Sequence, residues 1–154
     1  RADMPQPSIF NVSDYQAIVH RIEALQADAP RQWGKMTVSQ MCEHVARTVE
    51  MAAGINPVQQ AWLGKLIGWI FFKDFSGENP FPKNSPTGPY LIVHGDPEFV
   101  TARDRMKVLV TRLHALGEAG VDGNIHGFFG RMSGAEWGAT QWKHIDHHLR
   151  QFNA

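Results

Sequence analysis

A chain of 154 residues with 43% apolar and 19% charged side chains has the length of one domain and the composition of a globular one, not a disordered one. Fifteen Lys and Arg balance fifteen Asp and Glu, so charge gives no reason to expect nucleic acid or an anionic membrane as partner. A lone cysteine, Cys42, excludes an internal disulfide and a thiolate zinc cluster, and it suits a reducing, cytoplasmic setting.

No basic segment followed by an apolar run opens the sequence, so no secretory signal is expected. The first predicted helix runs from Ser13, as N-cap, to Ala27, with Tyr15, Ile18, Val19, Ile22 and Leu25 on one stripe and Pro30 beyond its end. The second opens on "TVSQ", where Thr37 and Gln40 have the spacing of a capping box, and closes at Gly54. A shorter third helix carries "WLGKLIGWIFF", Trp62 to Phe72. With Lys65 inside it, this run falls well short of the roughly 20 apolar residues of a membrane span. The fourth helix spans Glu98 to Leu116, with Phe99, Met106, Val110, Leu113 and Leu116 on its buried side. The fifth starts at "SGAE", a second capping box from Ser133 and Glu136, and ends in "WKHIDHHLRQF".

Lys73 to Pro97 is a long connection holding five of the nine prolines, and its "PYLIV" is the only segment that hints at a brief strand. Gly117 to Gly134 is a Gly-rich connection with His126 in "HGFFG". Four long amphipathic helices in a single domain over residues 1–154 predict an all-α, up-and-down four-helix bundle with a short accessory helix and a long crossover loop.

The histidines of the last helix can be placed around its axis. With His144 at zero, His148 lies at about 40° and His147 at about −60°, while the apolar residues centre near 90°. His144 and His148 therefore share a margin of the buried face, at the i, i+4 spacing that lets two imidazoles reach one ion. His147 is expected on the solvent side, and Lys143, Asp146 and Arg150 beyond it. On the second helix His44 occupies the matching margin, which makes it the natural third ligand. The competing reading is a solvated helix end and a hydrogen-bonded edge histidine.

"WGKMTVSQMCEHV" together with "HGFFGRMSGAEWGATQWKHIDHHLRQF" resembles the DinB/YfiT-like superfamily, in one of its families of unknown function, over nearly the whole chain. That resemblance implies a four-helix bundle with a three-histidine metal site at His44, His144 and His148, and with His147 outside it. The family run usually reads His-Pro before the Phe-Gly, where this chain has His126-Gly127.

Three neutral imidazoles on a divalent ion leave a position open to water, a thiolate or a carbonyl, and all-nitrogen ligation suits zinc, nickel or iron alike. Cys42 falls in the apolar arc of its helix and is expected as a core residue. Glu43 and Glu50 lie opposite that arc and are expected as solvated charges. His126 is the best non-ligand candidate for acid–base work, set against a loop histidine that only hydrogen-bonds backbone. His20, His94 and His114 belong to no constellation. Three functions follow. The resemblance favours a metal-dependent transferase or isomerase that binds a small-molecule substrate and an external low-molecular-weight thiol; the alternatives are a metal-dependent hydrolase and a non-enzymatic metal- or ligand-binding bundle. The third helix, apolar nearly all round, predicts a homodimer, unless the long connection covers its outer face.

Overall fold

The computed structural model describes residues 6–83 and 88–154 and is mostly helical. Its elements are α1 (Val12–Ala24), α2 (Val38–Ala53), α3 (Trp62–Ser76), a 3-10 turn at Pro89–Leu91, α4 (Phe99–Val121), β1 (Ile125–His126), β2 (Gly130–Arg131) and α5 (Gly134–Gln151). Among the described residues the antiparallel β1–β2 hairpin is the one strand pair added to the all-α expectation. "PYLIV" supplies the 3-10 turn and no strand. Among the described residues no helix is long and apolar enough to cross a membrane.

Both capping boxes form as the sequence spacing predicts. Thr37 Oγ1 accepts from Gln40 N–H at 3.1 Å and Gln40 Oε1 accepts from Thr37 N–H at 2.9 Å. Ser133 and Glu136 do the same for α5. Gly54, at φ 71°, closes α2 in the left-handed region as expected. α1 begins one residue ahead of Ser13, because Asn11 Oδ1 captures the Ser13 and Asp14 amides, and it ends at Ala24, where Leu25 turns into the core. α4 is interrupted at Gly117 (φ 66°), close to its predicted end at Leu116, and a further turn carries it to Val121. Leu116, predicted on the buried side, is exposed.

α4 and α5 touch each other, and each also touches α1 and α2. Their shared interior contains Ile18, Ile22, Met41, Val45, Val49, Met106, Val110, Leu113, Trp137, Ile145 and Leu149. Cys42 is buried there too, and burial pushes its thiol up to about 12. Glu43 and Glu50 are not free in solvent. Arg105 of α4 reaches both carboxylates, and Arg47 also holds Glu43. The side of α2 opposite its apolar arc faces another helix, which a single-helix wheel does not represent.

α3 runs four residues past its predicted end. Lys143, expected on the solvent side, is buried, and its Nζ donates to the carbonyls of Asp74, Phe75 and Gly77 (2.9, 3.2 and 2.9 Å). Those are carbonyls at and just beyond the α3 C-terminus, where a cation is favoured. The other side of α3 rests on the hairpin turn. A Cβ at Gly64 would overlap the Phe128 carbonyl oxygen, and one at Gly68 would lie 3.0 Å from it. The Gly-x-x-x-Gly spacing therefore serves a helix-to-hairpin contact. Gly64→Ala is expected to cost on the order of 2 kcal/mol, and Gly68→Ala clearly less. Urea unfolding of the two variants checks the order, and equal costs would contradict the contact.

Candidate metal centre

α2 and α5 run in opposite directions, and each end of the pair is stitched. At one end Gln32 N–H donates to the Gln151 carbonyl and Gln151 Nε2 donates to the Trp33 carbonyl. At the other, Asn124 Nδ2 donates to the Ala52 carbonyl while Trp137 Nε1 donates to the Asn124 carbonyl. Between these ties His44 faces His144 and His148. His144 Nε2 lies 3.2 Å from His44 Nε2 and 3.0 Å from His148 Nε2, and the ligand atoms of all three residues lie within 4.8 Å of one another.

The far nitrogen of each ring decides the protonation. His44 Nδ1 lies 3.0 Å from the Leu91 carbonyl, which can only accept. His148 Nδ1 lies 2.8 Å from Gln151 Oε1, whose amide is oriented by its Nε2 bond to Trp33. His144 Nδ1 lies 3.3 Å from Thr48 Oγ1, and the Thr48 proton is already spent on the Val45 carbonyl at 2.7 Å. His44 and His148 thus turn Nδ1 toward acceptors, and His144 turns Nδ1 toward the Thr48 hydroxyl. With the protons assigned to Nδ1, the Nε2 lone pairs of the three rings face one another.

Burial keeps these rings neutral. It lowers His148 to about 3, assisted by His44. His44 is lowered by burial first and then by Arg47, with the Leu91 bond opposing. His144 is held well below its ordinary value by burial and then by His148 and His44, although the residue keeps some solvent access.

His147 departs from expectation. Only 7% exposed, it packs against Trp33 (ring centroids 5.3 Å), Phe81 (5.7 Å) and His148 (5.1 Å). The connections before α2 and after α3 cover the side of α5 that the wheel assigned to solvent. It is not one of the three clustered residues. Phe81, 6.1 Å from the His144 ring and 4.2 Å from Lys143 Nζ, lies beside the cluster.

His126 opens the hairpin. Its Nδ1 accepts from the Phe128 and Phe129 amides (3.0 and 3.1 Å), and its ring packs on Phe129, Phe75 and Trp137. Burial lowers it to about 4. The backbone hydrogen bonding anticipated as its alternative is present, and with Nδ1 so engaged the proton of the neutral ring belongs on Nε2. Glycine at 127 suits its surroundings. Its N–H points at Met51 Sδ (3.4 Å), and a Cβ there would overlap the Tyr90 hydroxyl. Proline would forfeit the first and create the second. Of the other histidines, His114 stacks on Tyr15 and meets the Ile9 carbonyl, while His20 and His94 are exposed.

Thr48, Gln151 and Gln141 escaped the sequence reading. Thr48 stands four residues after His44 and Gln151 three after His148, so helical spacing contained the signal. Gln141, 2% exposed and three residues before His144, has the only buried side-chain polar atom without a partner among the described residues, its Oε1. A surface cavity of about 410 Å³ between α3 and the hairpin contains none of the clustered histidines.

A family model described as "Protein of unknown function (DUF1569)" matches residues 4–154. The chain belongs to this family. No curated protein and no solved structure matches it.

The lowered histidines have a measurable consequence. Their unfolded value is about 6.5, so below that pH the unfolded chain takes up protons that the folded chain refuses, and stability falls as pH falls. For His148 and His126 the window runs from there down to about 3 and about 4. Metal-free protein is expected to lose on the order of 4 kcal/mol between about pH 7 and about pH 5, about half from each of these two histidines. Urea midpoints measured with a chelator present check this, and a flat profile would contradict it.

Proposed function

We propose that this DUF1569 protein is a DinB/YfiT-like four-helix-bundle metalloprotein in which His44, His144 and His148 hold one divalent ion. One observation carries the reading: three imidazoles turn Nδ1 outward to Leu91, Thr48 and Gln151 and turn Nε2 toward one place. Converging lone pairs repel unless a cation lies among them. Ions that bind imidazole nitrogen at about 2.0–2.1 Å place neighbouring nitrogens about 3.0–3.4 Å apart; two of the three Nε2 pairs are 3.0 and 3.2 Å apart, and all the ligand atoms lie within 4.8 Å. Zinc, nickel and iron all suit a nitrogen donor set. The outward partners Leu91, Thr48 and Gln151 fix tautomer and ring orientation, the usual service of groups behind metal-bound histidine.

A divalent ion bound there supplies Lewis acidity and at least one open position, enough to deprotonate and hold a thiol or to polarise a carbonyl. The protein's own groups set the surroundings. Phe81 provides an apolar wall beside the His144 ring, and His126, close enough to help lower His144, is the acid–base candidate nearest the site. The protein offers no thiol of its own, because Cys42 is buried in the core with its pKa near 12. We therefore read the site as that of a transferase or isomerase acting on a small, partly apolar substrate with an external low-molecular-weight thiol.

Elemental analysis after loading with zinc or nickel tests the ligand set. His44→Ala, His144→Ala and His148→Ala are expected to lose bound metal, while His147→Ala retains it; equal loss in all four would refute the assignment. Thr48→Val and Gln151→Leu are expected to weaken metal binding by about 10- to 100-fold without abolishing it. The reaction is tested by electrophile conjugation with several biological thiols, run beside ester and amide hydrolysis. Thiol-independent hydrolysis that vanishes in His148→Ala would assign a hydrolase, and a filled site with neither activity would assign a metal- or ligand-binding protein.

A further inference from the structure

Among the described residues, the outward face of α3 gathers more exposed large apolar side chains than any other element. Trp62 is 72% exposed, Leu66 62%, Trp69 75% and Ile70 52%, with Leu63 beside them. No described part of the long connection covers them, so that alternative does not hold for the described residues. We propose that this face pairs with the same face of a second copy of the chain, forming a two-fold dimer along α3.

Three observations select that occupant. The first is spacing. Trp62, Leu66 and Trp69 follow the alternating four–three step of a helix–helix seam, and Leu63 and Ile70 flank it. A Trp–Leu–Trp seam reads alike in both directions, so a two-fold axis near Leu66 sets each Trp end against the opposite end of its mate. The Trp69 indole N–H is satisfied inside the helix by the Leu66 carbonyl at 3.1 Å, so the ring can be covered without stranding a donor.

The second is area. Taking about 150–250 Å² for each large side chain, the exposed fractions amount to on the order of 700 Å² per copy. That is above the largest patch of an ordinary monomer, about 300–600 Å², and close to the roughly 800 Å² per partner of a stable interface. The third is rigidity. Gly64 and Gly68 clamp the opposite side of α3 to the Phe128 backbone, and Lys143 holds its C-terminus, so the helix cannot roll to bury its tryptophans. A membrane surface fits less well. Helices that lie in a bilayer interface carry a cationic face opposite the apolar one, whereas here that side is packed on protein and the whole chain is neutral.

Light scattering on the 154-residue chain, from low to high micromolar concentration, is expected to give twice the chain mass of 17.3 kDa. Leu66→Glu and Trp69→Glu should weaken dimerisation by at least about thirtyfold, with helical circular dichroism unchanged. Wild-type protein at the single-chain mass throughout would overturn the proposal, as would a dimer that both variants leave intact or a mass that keeps rising with concentration. Cosedimentation with phosphatidylcholine–phosphatidylglycerol vesicles by a protein that stays monomeric would assign the face to a membrane instead.

Discussion

The antiparallel seating of α2 against α5 is the constraint on which the site depends. A shift of one residue along either helix would turn a histidine by about 100° and break the convergence. The protein guards against that shift at both ends. Gln151 bonds to the segment entering α2, and Asn124 bonds both to the carbonyl of Ala52 and, through its own carbonyl, to Trp137. The capping boxes at Thr37 and Ser133 fix where each helix begins, so the register of the histidines is set before any core contact is counted.

Much of this was legible because it is local. Capping boxes, closing glycines and the azimuths of His44, His144 and His148 are properties of a few turns of one helix. What lay outside the reading involves a second segment. Glu43 and Glu50 point away from the apolar arc of α2, yet Arg105 waits there on α4. Lys143 points away from the apolar arc of α5, yet the end of α3 waits there. His147 met Trp33 and Phe81 where solvent was expected. A wheel distinguishes apolar from polar sides; it cannot say which polar side another element will occupy. The Leu91 carbonyl was invisible for a different reason, since every residue has a carbonyl and only the path of the long connection delivers this one to His44.

The hairpin joins the histidine site to α3. His126 holds the turn by accepting two amides, and the turn in turn presents the Phe128 carbonyl to Gln60 and to the glycine face of α3. Phe129 stacks on Phe75, and Phe75 also meets Phe81 beside His144. The surface proposed for dimerisation is therefore connected to the wall of the histidine site by packed rings and one short turn. Glycine at 127 belongs to the same arrangement, because it leaves room for the Tyr90 hydroxyl and frees an N–H for Met51.

Stability alone would not select such a centre. Three imidazoles are desolvated, their lone pairs oppose one another, and a glutamine carbonyl oxygen beside them in sequence is buried without a donor. An unsatisfied buried acceptor costs about 1–3 kcal/mol, and Leu or Met at these positions would remove such costs. The caps of α2 and α5, the core stripes and the ion pairs favour one structure. Local conflict within such a fold is expected at a site kept for what it binds. The outward contacts point the same way. Leu91, Thr48 and Gln151 each engage a ring on its Nδ1 side, so the three Nε2 atoms are the ones left facing inward, and the cation proposed above would be a partner common to all three.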